Sequence, residues 1–252
     1  MAKKDDTFVP DLDSLEIPTG LPDLLKESTN RNQVVGSWGF HSHVDFSKMS
    51  SEETNVWSFE QVFNFLRAFF GLVTPDHMEV ITYNATKQIK KDNLNQMTFL
   101  DELMLIMKNL NEPIWVIRLH LSIVGFLRTE WSPDKPVRLM IQEPCSFIVW
   151  GGPDESGFQT CSLSYSLFSS QKLKGEDSLL WSINQPLLEK ALQKWEKQSG
   201  HVIDVVQGNS KDVSLYRHGF KTPVPEGAKP SFEEELPNVS EEEIPDLDEL
   251  DL

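Results

Sequence analysis

The sequence predicts an α+β protein: a single globular core, with an antiparallel sheet packed against about four helices, flanked by two disordered acidic arms. Three observations carry this. Helix-spaced apolar patterns cluster early in the core and strand-spaced ones late, which favours α+β over an alternating βαβ order. The apolar period shifts from near 3.6 to 2 after Pro113. The acidity is confined to the ends: residues 5–27 carry -6 and residues 222–252 carry -10 of a net charge of -16, while residues 28–221 carry only -2. The expected boundaries are 1–32 for the first arm, 33–221 for the core and 222–252 for the second arm.

Residues 1–32 hold few large apolar side chains, so they have little with which to offset the entropy of ordering. The core opens on a strand, in which Trp38, Phe40, Ser42, Val44 and Phe46 alternate with polar residues. A helix is expected from Ser58, with Gln61 completing a capping box. Phe59, Val62, Phe63, Leu66 and Phe70 form its apolar face. Thr74-Pro75-Asp76 sets out a cap, a first-turn proline and an acid. That predicts a second helix with Met78, Ile81, Ala85 and Ile89 on one face. A third helix begins at Thr98, with Asp101 as reciprocal capper and a stripe of Leu100, Leu103, Met104, Met107 and Leu110.

Beyond Pro113, Ile117, Leu119, Leu121 and Ile123 alternate with Arg118, His120 and Ser122, giving a strand, with a helix as the alternative. Val137, Leu139 and Ile141 suggest another. Residues 147–150, the glycine-containing stretch 151–157 and residues 158–168 read as a hairpin, with Cys161, Leu163, Tyr165 and Leu167 facing the core. A fourth helix is expected from Asn184 as cap with Pro186 in its first turn. Leu188, Ala191, Leu192 and Trp195 form its buried face, and Gly200 ends it. Short strands over 201–206 and 212–217 close the core. From Thr222 onward, recurring prolines among acids again predict disorder.

The composition bears on partners. The best basic run, Lys87, Lys90 and Lys91, is short and adjoins Asp92, so direct nucleic-acid binding is not expected. No apolar run approaches the roughly 20 residues needed to span a bilayer. The amino terminus has no apolar signal core. With only Cys145 and Cys161 as cysteines, the expectation is an intracellular protein, cytoplasmic and possibly nuclear, with free thiols.

Two candidate sites emerge. On a strand His41, His43 and Asp45 would share one face, and imidazole with carboxylate suits zinc or iron. The spacing resembles the first part of the His-x-His-x-Asp-His motif of metallo-β-lactamase-type hydrolases, with Phe46 standing where that motif has its last His. A metal-dependent hydrolase using His41, His43 and Asp45 is the alternative that this resemblance implies; no cofactor is otherwise expected.

The other candidate lies in the arms. Residues 9–17, Val-Pro-Asp-Leu-Asp-Ser-Leu-Glu-Ile, and residues 244–252, Ile-Pro-Asp-Leu-Asp-Glu-Leu-Asp-Leu, share one pattern, and Leu24 lies in a shorter copy. A first-position proline and early acids suit a short helix, in which Leu12 and Leu15, or Leu247 and Leu250, lie on one side. Val9, Ile17, Ile244 and Leu252 flank them. Such a segment fits a partner protein's hydrophobic groove rimmed by basic residues. Ser240, before three glutamates, is a phosphorylation candidate beside the second motif. The expectation is thus a non-enzymatic interaction protein, an adaptor or regulator, with oligomerisation open. A structural or assembly protein, such as a viral matrix-like or accessory subunit, is a further alternative. The order strand, helices, strands, helix is similar to that of rhabdovirus matrix proteins, without their Pro-Pro-x-Tyr motif or a basic amino-terminal patch.

Overall fold

A computed structural model describes residues 36–83, 86–94, 98–129, 132–152, 156–164, 168, 179–208 and 215–220. Both arms, including Val9, Leu12, Leu15, Leu24, Ser240, Ile244, Leu247, Leu250 and Leu252, lie outside these residues, as do Ala85, Tyr165 and Leu167.

In chain order the elements are β1 (Gly36–His41), a 3-10 turn (Phe46–Lys48), α1 (Ser51–Ala68), β2 (Val73–Thr82), β3 (Gln88–Lys91) and α2 (Phe99–Asn109). There follow β4 (Ile114–Thr129), β5 (Ser132–Trp150), β6 (Phe158–Leu163), α3 (Leu179–Ser199), β7 (Val205–Gln207), β8 (Leu215–Tyr216) and β9 (Gly219–Phe220). Seven strands form one sheet in the order β3-β2-β4-β5-β6-β1-β7, with every neighbouring pair antiparallel. The mixed α+β class with an antiparallel sheet is as expected; three helices stand among the described residues rather than about four.

The missing helix is β2. Its inward residues run Val73 and Pro75, then Met78, Val80 and Thr82, because a bulge between Pro75 and His77 swaps the parity of the strand. The expected stripe of Met78, Ile81, Ala85 and Ile89 joins inward Met78 to outward Ile81 and runs on into β3, and Pro75 sits at the irregularity, where a missing N–H is tolerated. Pairing with β4 on one side and β3 on the other outweighs the helix-start signal of Thr74-Pro75-Asp76.

Helix α1 begins eight residues before its expected cap. Ser50 takes the N-cap: its hydroxyl accepts from the Glu53 N–H at 3.2 Å, and the Glu53 carboxylate accepts from the Ser50 N–H at 2.7 Å. Its buried side holds Thr54, Asn55, Ser58, Gln61, Val62, Phe65 and Ala68. Phe63 and Phe70, expected in the core, are instead 40% and 69% exposed. Helix α2 matches its expected span, but Thr98 has helical backbone angles (φ -92, ψ -18) and makes no side-chain cap bond, so the expected box with Asp101 does not form. Its buried residues are Phe99, Leu103 and Ile106, and Met104 is exposed. Helix α3 starts at Leu179, placing Asn184 and Pro186 inside it. Its expected core face is as observed: Leu188, Ala191, Leu192 and Trp195 are buried, and Gly200 ends the helix at φ +72, a conformation glycine adopts without strain.

Strands β4, β5 and β6 match the period-2 reading, with the two middle strand predictions merged into one long β5. Of the late strands expected over 201–206 and 212–217, the structure forms the shorter β7 and β8, and β8 pairs with β9 in a separate hairpin. Strands β5 and β6 pair as the expected hairpin, residues 153–155 of its turn lying outside the described residues. Gly157 is required there by close approach: a Cβ would fall 2.6 Å from the Trp57 ring.

The core fills one side of the sheet. Trp195 is wholly buried against Phe40, Phe65, Phe69 and Phe147, with ring centroids 4.8 to 6.4 Å apart. Phe65 of α1 stacks on Phe147 of β5 at 4.0 Å. Three buried amides act as strand surrogates. Asn55 accepts from the Ile114 N–H at 2.6 Å and donates to the Glu112 carbonyl at 3.2 Å. Asn184 accepts from the Phe126 N–H at 2.7 Å and donates to its carbonyl at 2.8 Å. Gln185 accepts from the Phe220 N–H at 3.2 Å. Each supplies a partner for peptide groups that would otherwise be buried unpaired. Cys145 and Cys161 are buried, with sulfurs 3.8 Å apart; contact with Cys145 and burial push the Cys161 thiol well up, so it is a poor nucleophile.

Candidate interaction surfaces

Strand alternation divides the sheet. Inward positions such as Ile117, Leu119, Leu121, Phe147 and Val149 are at most 1% exposed, while the residues between them are mostly half-buried or exposed. This is the pattern of an antiparallel sheet covered on one face. The register sorts the outward residues into three rows across the strands. The first runs Gln88, Ile81, Val116, Trp150, Phe158, His41. The second runs Lys90, Glu79, Arg118, Ile148, Thr160, Gly39, Val205. The third runs His77, His120, Ser146, Ser162, Ser37, Gln207.

Each row has its own chemistry. The first is apolar and aromatic: Trp150 and Phe158 lie 4.4 Å apart by ring centroid, and Phe158 and His41 4.6 Å. The third is a ladder of hydroxyls and imidazoles, in which Ser37 and Ser162 hydroxyls meet at 2.7 Å. The second carries the charge. Glu79 accepts from Arg118 at 2.9 Å and pairs with Lys90 at 3.3 Å. A hydrogen bond from Gln88, then Lys90 and Arg118, holds the Glu79 carboxyl below its ordinary value against the opposing effect of burial. Glu79 is the one carboxylate in the three rows, and it serves two cations. Asp92, level with His77, contacts its ring at 3.0 Å, so Lys90 and Arg118 are set against Glu79 and Asp92 and the face is close to neutral in a chain of net charge -16. Over β5, β6, β1 and β7 it is hollowed into an open groove of about 770 Å³, lined in part by Ser37, His41, Trp150, Phe158, Thr160 and Gln207.

A second surface lies on the far side of α1. Val56 and Phe63, with Phe70 just past the helix end, follow helical spacing away from the buried side, and Phe59 and Leu66, partly packed against the core, lie at the edge of the stripe. Val56, Phe63 and Phe70 are exposed, and the Phe59 and Phe63 rings are nearly parallel at 6.4 Å. Exposed apolar stripes of this kind mark contact surfaces more often than scattered single residues do.

The alternative metal trio of His41, His43 and Asp45 is not assembled. Strand β1 ends at His41, and His43 adopts a left-handed backbone (φ 49), so the same-face argument, which needs a strand to Phe46, does not apply. Phe46 leaves the strand direction to pack edge-on against Trp57 at 4.8 Å. The Asp45 carboxylate is engaged by Lys48 at 2.6 Å and Ser47 at 2.5 Å, which lowers its pKa. Among the described residues no group of three His, Cys, Asp or Glu side chains is placed to hold a metal ion.

The outer face was partly legible. Arg118, His120 and Ser122 already alternate with the aliphatic residues of β4 in the sequence. What the sequence lacked was the register that brings them level with Trp150, Thr160 and Ser37. No helix among the described residues is long and apolar enough to cross a membrane. Comparison with family models, curated proteins and solved structures finds no match to this chain.

Proposed function

We propose that this chain is a non-enzymatic interaction protein, an adaptor or regulator that recruits partner proteins through the acidic leucine motifs of its arms. The folded part supplies further contact surfaces. The observation that carries the reading is the repeated nine-residue pattern at 9–17 and 244–252, flanking a core whose outer sheet face carries no helical cover among the described residues. Leu12, Leu15, Leu247 and Leu250 enter the partner's groove, and the acids meet its basic rim. Phosphate on Ser240 adds charge beside the second motif. The setting is intracellular, cytoplasmic or nuclear.

Affinity capture tests this with the full chain against a variant carrying Leu12, Leu15, Leu247 and Leu250 all changed to Ala. Each buried leucine lost costs on the order of 1–3 kcal/mol of binding, so partners held by the wild type should be lost from the variant. Equal retention of every partner makes the arms solubilising tails and overturns the reading. An assembly subunit is the second reading. One observation favours it: the exposed stripe of Val56, Phe63 and Phe70, which a second copy could cover.

A further inference from the structure

The outer sheet face and the arms share one arrangement: the face sets two cations, Lys90 and Arg118, beside an apolar row, and the arms set acids beside aliphatic residues. We infer that this face is a docking surface for residues 9–17 of the same chain. The inference rests on reading those residues as a docking motif. An apolar row of Ile81, Val116, Trp150 and Phe158 lies one residue step from the cations Arg118 and Lys90, which flank Glu79. The motif offers aliphatic residues interleaved with Asp11, Asp13 and Glu16. Lying across the strands, its leucines meet the first row while its acids meet the second.

The amino-terminal copy has the shorter tether, since 24 positions separate Phe220 from Ile244. Its last residue, Ile17, is only 19 positions before Gly36, the first residue of β1, and Ser37 lines the groove. A flexible chain of that length has a root-mean-square span of roughly 24 Å. The distance from β1 to β3 is five strand spacings, also about 24 Å. A tether matched to its span gives an effective concentration of about 1 mM. A motif with an intrinsic Kd of about 100 µM would then occupy the face most of the time, and a partner would have to draw it off. The face thereby shelters the motif and sets a threshold for recruitment.

The test is fluorescence anisotropy of a labelled peptide, residues 7–19, titrated into full-length protein. Removing the internal competitor with Leu12→Ala and Leu15→Ala should let added peptide bind about tenfold more tightly than it binds wild type. In that background Arg118→Glu, and separately Thr160→Glu, should abolish binding; either variant that melts with its parent gives the readout. Equal affinity for wild type and the leucine variant overturns the inference. So does binding that survives both face substitutions, or a gain produced by Leu247→Ala and Leu250→Ala in place of the amino-terminal pair. A chain that loses its partners with its leucines yet shows none of these peptide effects keeps the proposed function and loses this inference.

Discussion

The two faces of one sheet are built by opposite rules. The inner face is closed by aromatic rings: Phe40, Phe65 and Phe147 are wholly buried and each contacts the buried ring of Trp195. The outer face, on the same strands and one residue out of step, is a graded strip of aromatic, charged and hydroxyl rows. A residue's contribution to stability is thus set by the parity of its position, and its availability for contact by the opposite parity. The stability of the fold is carried by one face and leaves the other free to vary with function.

The sharpest way to break this comparison is Trp195→Ala. It removes the ring at the centre of the inner cluster and should cost about 3–5 kcal/mol in denaturant unfolding. A loss below about 1 kcal/mol would mean the inner face is not the stabilising one. Asn184→Ala comes next. It leaves the Phe126 N–H and carbonyl without their side-chain partner and should cost about 1–3 kcal/mol. No change would show that water serves that strand edge equally well. Phe63→Ala should have the smallest effect, within about 0.5 kcal/mol, because the ring lies on the exposed side of α1. A cost near 3 kcal/mol would put Phe63 in the core. In the assembly reading the same substitution lowers the mass seen by light scattering, and an unchanged mass removes that reading.

The elements easiest to read from sequence were those whose local pattern agreed with their neighbours. Ile117 to Ile123 alternate because β4 is buried on one side only, and Leu188 to Trp195 repeat at helical spacing because α3 lies on the sheet. Two misreadings have physical causes. The three-residue step from Met78 to Ile81 looks helical, but Met78 faces inward and Ile81 outward on β2, and Ile89 belongs to β3, so the apparent stripe joins two faces and two strands. On α1 the buried side includes Thr54, Asn55, Ser58 and Gln61, which are tolerated because several of them bond to backbone; Asn55 does so at both ends of its amide. Counting apolar residues therefore rotated the face, keeping buried Val62 but putting Phe63 and Phe70 inside. The outer face required more than pattern, since Lys90, Arg118, Thr160 and Ser37 come from four strands far apart in sequence. Nothing local sets their register.

The most direct measurement of the outer face's role is zero-length carbodiimide cross-linking of the full-length wild-type protein at low concentration, mapped by mass spectrometry. Lys90 projects from the outer face beside Glu79 and Arg118, whereas Lys48, 82% exposed and with a carboxylate neighbour in Asp45, lies off it. If the face holds residues 9–17, Asp11, Asp13 and Glu16 should join to Lys90 in clear preference to Lys48, Lys108, Lys194 and Lys197, and added salt should erase the preference. Cross-links spread evenly over these lysines would contradict the account.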